Sequence, residues 1–124
     1  MANKTRNSRG EIKIEEILKA NSISYSCEYE FDDLKTGTGR PLRFDFAVFD
    51  DDGDLAFLIE YQGEQHFHPK EVFGGRSGLN KQQFNDRQKV KYCKKHNIKL
   101  LVIPYWEFPD ITIDYLLEKG GYFD

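Results

Sequence analysis

The chain has only two cysteines, Cys27 and Cys93, and they lie far apart in 124 residues. A disulfide-stapled scaffold is thereby excluded, and both are expected to be reduced core thiols. His66, His68, Cys93 and His96 match no standard zinc-ligand spacing. No apolar run approaches membrane-spanning length. Met1 to Arg9 is polar and lacks the apolar centre of a signal peptide. A cytoplasmic protein without membrane contact is expected. There are no internal repeats, low-complexity segments or linkers, and the length fits one domain around one core. There is no excess of positive charge. Eighteen Lys and Arg face 21 Asp and Glu, for a net charge of −3. That disfavours a protein holding nucleic acid by charge alone, because phosphate neutralisation drives such binding. Aromatic residues are plentiful: ten Phe and seven Tyr bring the aromatic share to 15%. Such a chain can bury a core without metal or disulfide support.

The charges are unevenly placed. Glu28 to Asp54 holds nine acids and three bases. Lys81 to Lys99 holds seven bases and one acid, Asp86. Such a dipolar molecule can set an acidic, cation-binding centre beside a basic flank that faces phosphates.

Residues 1–8 read as a flexible basic tail and 9–120 as the domain. Ser8 and Glu11 have capping-box spacing, and Ile14, Ile17 and Leu18 follow at helical intervals, which predicts a helix from Arg9 to Ala20. Tyr25, Cys27, Tyr29 and Phe31 alternate with polar residues as a strand with one wet face. Asp32 to Pro41 reads as a loop. Leu42, Phe44, Phe46 and Val48 alternate as one face of a second strand. Asp50 to Asp54 is a turn. Leu55 to Tyr61 is a more fully apolar third strand, expected to be central. Glu64 to Asn80 reads as a long loop. Lys81 to His96 is predicted helical, Lys99 to Pro104 a strand, and Pro109 to Lys119 a last helix. The class is α/β, a single domain in the order α-β-β-β-α-β-α.

Two acids fall inside the apolar strands: Asp45 in the second and Glu60 in the third. The tight turn makes these strands an antiparallel hairpin and puts Asp45 opposite Ile59 or Glu60. A carboxylate among Phe, Leu and Ile costs several kcal/mol, roughly, unless it is paired or binds a metal. Their oxygens suit magnesium or manganese. The alternative is that both simply face solvent. Glu11 either only closes the capping box or also reaches such a centre through water. Asp86 shares an inward stripe with Val90 and Cys93, and Lys89 lies one turn on. Arg87, Lys91, Lys94 and Lys95 occupy an outward edge, as a solvated face or as phosphate contacts. His66 and His68 follow the third strand, where a histidine can serve as general base or stabilise a phosphate.

Together these residues resemble the PD-(D/E)XK nuclease superfamily. Asp45, then Glu60-Tyr61-Gln62, with Glu11 (or Glu15) on the first helix, stand at its motif positions. Gln62 replaces the usual lysine, which leaves the lysine's role open to Lys89. The ordered set Glu11, Asp45, His66, Asp86 is similar to the very-short-patch-repair-like endonucleases and to related phage homing endonuclease catalytic domains. The likeness spans about residues 8–118. It implies a restriction-endonuclease-like mixed sheet flanked by helices and a magnesium-dependent DNA endonuclease of phage or mobile-element type, acting in the host cytoplasm if phage-encoded. Asp45 and Glu60 would hold the metal, with His66 oriented by Asp86 or Glu11. A nuclease fold that binds nucleic acid or protein without cleaving is the alternative, favoured by the missing lysine. No separate DNA-recognition segment is visible. Specificity is therefore expected from the loops, a second copy of the chain or a protein partner.

Overall fold

The computed structural model describes residues 8–64, 67 and 75–122. Helix α1 (Arg9–Ala20) begins where the capping box places it. The Ser8 hydroxyl accepts from the Glu11 N–H at 3.2 Å, and the Glu11 carboxylate accepts from the Ser8 N–H at 2.8 Å. Strands β1 (Ser24–Lys35), β2 (Pro41–Phe49) and β3 (Leu55–Gln62) form an antiparallel meander. In the second turn, Asp50 Oδ1 accepts from the N–H groups of Asp52 and Asp54, each at 2.9 Å. Helix α2 (Gly75–Lys95) then carries the chain across the sheet to β4 (Leu100–Pro104), which lies parallel to β3, as parallel pairing requires a crossover. A 3₁₀ helix (Tyr105–Asp110) and α3 (Ile113–Lys119) complete the chain. The sheet order is β1-β2-β3-β4, so β3 is an interior strand as expected. The molecule is a single α/β domain with a mixed sheet flanked by helices.

Each face of the sheet has its own core. On one side α1 and α3 bury Ile14, Leu18, Leu116 and Leu117 against Phe46, Val48, Phe57 and Ile59. On the other, Cys93 of α2 packs with Leu42, Phe44, Ala47 and Leu58. This division corrects the simple alternation expected of β2. Leu42 and Phe44 belong to the α2 side, whereas Phe46 and Val48 belong to the α1 side, so the pattern changes face at Asp45. In β1 the same change separates Tyr25 from Tyr29 and Phe31. Between them Glu28 takes a left-handed φ of 55°, which offsets the period-2 rule locally.

Four expectations are revised. Helix α2 starts six residues before Lys81: buried Leu79 draws this turn into the core despite Gly78, outweighing a glycine cost of about 1 kcal/mol. Strand β1 runs past Phe31 to Lys35, with Leu34 buried. Pro109 does not open the last helix but sits inside the 3₁₀ helix, and Thr112 caps α3 by accepting from the Tyr115 N–H at 3.1 Å. Cys27 is exposed, and only Cys93 is a core thiol. Among the described residues no helix is long and apolar enough to cross a membrane.

Candidate active site

Strands β2 and β3 pair down to Phe46 and Ile59, with one register shift between Val48 and Phe49. The next residue on each is an acid, and there side chains replace the ladder. The Asp45 N–H donates to Glu60 Oε2 at 2.8 Å, and the Tyr61 N–H donates to Asp45 Oδ2 at 2.8 Å. Each carboxylate satisfies a backbone donor of the opposite strand that a parting of the strands would leave without a partner.

On the other side of Asp45 stands Glu28. The pairs Cys27–Phe46 and Tyr29–Phe44 bracket the two positions, so Glu28 and Asp45 face each other across β1 and β2. The left-handed backbone at Glu28 costs a non-glycine residue about 1–2 kcal/mol. Glu11 arrives from α1, whose first turn is drawn close because Gly10 lies against the Tyr61 ring; a Cβ at Gly10 would fall on that ring. One carboxylate oxygen from each of Glu11, Glu28 and Asp45 lies within 4.8 Å of the others. Glu11 therefore closes the capping box and also faces Asp45. Glu15, the other acid that could have filled this place, accepts from the Tyr25 hydroxyl at 2.7 Å instead.

The electrostatics follow from burial. Asp45 is held well above the usual carboxylate range, first by desolvation and then by the charges of Glu60 and Glu11. Glu60, only 4% exposed, is also raised by desolvation, opposed by the Lys89 ammonium. That ammonium lies 3.1 Å from Glu60 Oε1 and 5.5 Å from the centre of the Phe44 ring. One turn earlier on α2, Asp86 Oδ2 accepts from the Gln62 amide at 3.2 Å.

The structure thus brings together Glu11, Asp45, Glu60 and Lys89, with Gln62 and Asp86 joined beside them. Arg87, Lys91, Lys94 and Lys95 are exposed along α2, as expected of an outward edge. Val90 is 37% exposed, so it leaves the inward stripe assigned to it; Lys89 takes the place facing the sheet. His66 and His68 lie outside the described residues. Glu28 is the residue that the sequence pattern missed. Its alternation assigns it to a wet strand face, and only the strand register, together with the left-handed φ, sets it beside Asp45.

Hollows of similar size flank the centre. On the α1 side, Arg9, Tyr61, Tyr105, Trp106 and Phe108 line about 540 Å³. On the α2 side, a hollow of about 640 Å³ lies between the Thr36–Arg40 turn and the helix.

No protein-family model matches the chain, and no solved structure does. Among curated proteins it is similar to uncharacterized protein 094L of Frog virus 3 (isolate Goorha), 43% identical over 70 residues. That match covers 55% of this chain and 43% of the viral protein, so the likeness spans less than half the relative's length.

Proposed function

We propose that the protein is a metal-dependent DNA endonuclease. The supporting observation is the half-buried Asp45 carboxylate, ringed by Glu11, Glu28 and Glu60, with one lysine, Lys89, at the far side of Glu60. The donors are hard oxygens carrying more negative charge than Lys89 balances, a set that fits magnesium or manganese. Asp45 and Glu60, assisted by Glu11 and Glu28, would hold the ion. When bound, it would polarise a phosphate oxygen and acidify a water molecule.

The side chains supply the rest. Lys89 would shift part of its charge from Glu60 to the phosphate as negative charge builds there. Gln62, held by Asp86, would position phosphate or water. His66 would accept the water's proton or stabilise the phosphate. Arg87, Lys91, Lys94 and Lys95 would contact flanking phosphates. One observation favours a non-cleaving binding module: Gln62 stands where a lysine is usual, and its amide is engaged by Asp86.

Calorimetric titration with magnesium, beside cleavage of plasmid DNA, tests the proposal. Wild type should take up magnesium and cut; Asp45→Asn should do neither while remaining folded. Metal uptake without cleavage would favour the binding module, and absence of both would overturn the metal site. His66→Ala should lower the rate by roughly 10²–10⁴ with metal uptake unchanged.

A further inference from the structure

The hollow on the α2 side has a mixed chemistry that the acidic centre does not use. Its floor and walls include Thr36, Thr38, Arg40, Lys81, Phe84 and Asn85. The turn that forms one wall is firmly built. The Thr36 N–H donates to the Arg40 carbonyl at 2.7 Å, and Thr36 Oγ1 accepts from the N–H groups of Thr38 and Arg40 at 3.3 and 3.1 Å. Strand β2 starts at the next residue, so the wall is tied to the strand that carries Asp45.

Phe84 lies on the opposite wall and is 51% exposed, one of four exposed large apolar side chains among the described residues. The Arg87 guanidinium sits 5.9 Å from the centre of its ring. Neither Arg40 nor Lys81 forms an ion pair with a described residue. An aromatic face, an amide and two such cations around one hollow suit a nucleotide: the ring stacks on a base, Asn85 meets its polar edge, and the cations meet phosphate.

The position relative to the acids is set by the helix. Lys81, Asn85 and Lys89 are spaced by four residues and share one face of α2. At 1.5 Å per residue, Asn85 and Lys81 lie roughly 6 and 12 Å along the axis from Lys89, which holds Glu60. That is about two to four steps of a stacked strand at roughly 3.4 Å each.

We infer that this hollow takes an unpaired nucleotide of a DNA strand, a few steps from the phosphate at the acidic centre. This rests on the nuclease reading for its substrate class, and it makes single-stranded or locally opened DNA the preferred substrate. A base inside a duplex has both faces covered by its neighbours and cannot stack on Phe84.

Fluorescence anisotropy of the full chain tests this in metal-free buffer, with a labelled twelve-nucleotide thymidine strand and a labelled hairpin duplex as probes. Wild type should bind the single strand more tightly than the duplex. Phe84→Ala should weaken single-strand binding on the order of ten-fold and leave duplex binding unchanged. Phe84→Trp should retain it, and Arg40→Gln with Lys81→Gln should flatten its salt dependence. Equal loss on both probes, no loss with Phe84→Ala, or no single-strand preference in wild type would overturn the inference. Asp45→Asn should bind the strand at least as well as wild type, so failure of the catalytic reading would show in cleavage and not in this measurement.

Discussion

The two ends of the β2–β3 pair are built on opposite principles. Toward the Asp50–Asp54 turn, Phe57, Val48 and Ile59 are fully buried and Phe46 nearly so, in antiparallel pairs. Toward the other end, the same register delivers Asp45 and Glu60, and carboxylates take over the backbone donors. The first end stabilises the fold through dry contact. The second end places like charges together in a half-dry site, with a left-handed glutamate opposite. One strand pair can hold both because, where the ladder stops, the N–H groups of Asp45 and Tyr61 are taken up by the two carboxylates.

The largest expected effect lies at the dry end. Phe57→Ala should cost about 3–5 kcal/mol, with little dependence on pH or magnesium. Denaturant unfolding at two pH values, with and without the ion, measures this. A strong magnesium dependence would mean that the two ends are not separable.

Lys89→Met should cost about 3 kcal/mol at neutral pH, because it leaves the Glu60 carboxylate buried without its counter-charge. The deficit should narrow in acid, where protonated Glu60 needs none. A deficit that stays constant with pH would point to poorer packing against Phe44 instead.

Asp45→Asn should act in the opposite direction. The folded-state pKa of Asp45 is raised, so the wild-type fold binds this proton more tightly than the unfolded chain does. The stability linked to that proton is full below the unfolded carboxylate range, near pH 4, and is lost as pH rises through the folded value. The variant escapes this loss, and its amide oxygen can still accept from Tyr61. It should gain on the order of 1 kcal/mol at neutral pH without metal, and nothing near pH 3. Thermal melts across that range read the difference. A loss at neutral pH would make Asp45 a structural residue of the dry end.

The smallest effect concerns the helix flank. Changing Lys91, Lys94 and Lys95 to Gln should leave stability within about 0.5 kcal/mol. It should reduce the log–log salt slope of duplex binding by roughly 0.9 for each phosphate that the variant no longer neutralises. An unchanged slope would leave them as a solvated surface.

Much of this architecture is legible in the residues alone, and the reason is local. The Ser8–Glu11 box sets the start of α1 within four residues, and the Asp50 turn closes an antiparallel hairpin. That hairpin leaves Asp45 opposite Ile59 or Glu60, and the register shift between Val48 and Phe49 selects Glu60. The element order and class rest on such short-range signals. The beginning of α2 is not of this kind, because Leu79 joins the helix for the sake of a surface that the local pattern around Gly78 does not contain.

Three features were decided only in the folded molecule. The face change at Asp45 and Glu28 breaks a period-2 pattern that looks unbroken along β2, because the acids compete for backbone donors of a neighbouring strand. Glu28 joins Glu11 and Asp45 through the meeting of three separate elements. Lys89 reaches Glu60 across 29 positions of sequence. Periodicity reports which residues prefer burial, and it does so from nearest neighbours. Which charges end up facing one another depends on strand register and helix placement, and those are settled by the packing of the whole chain.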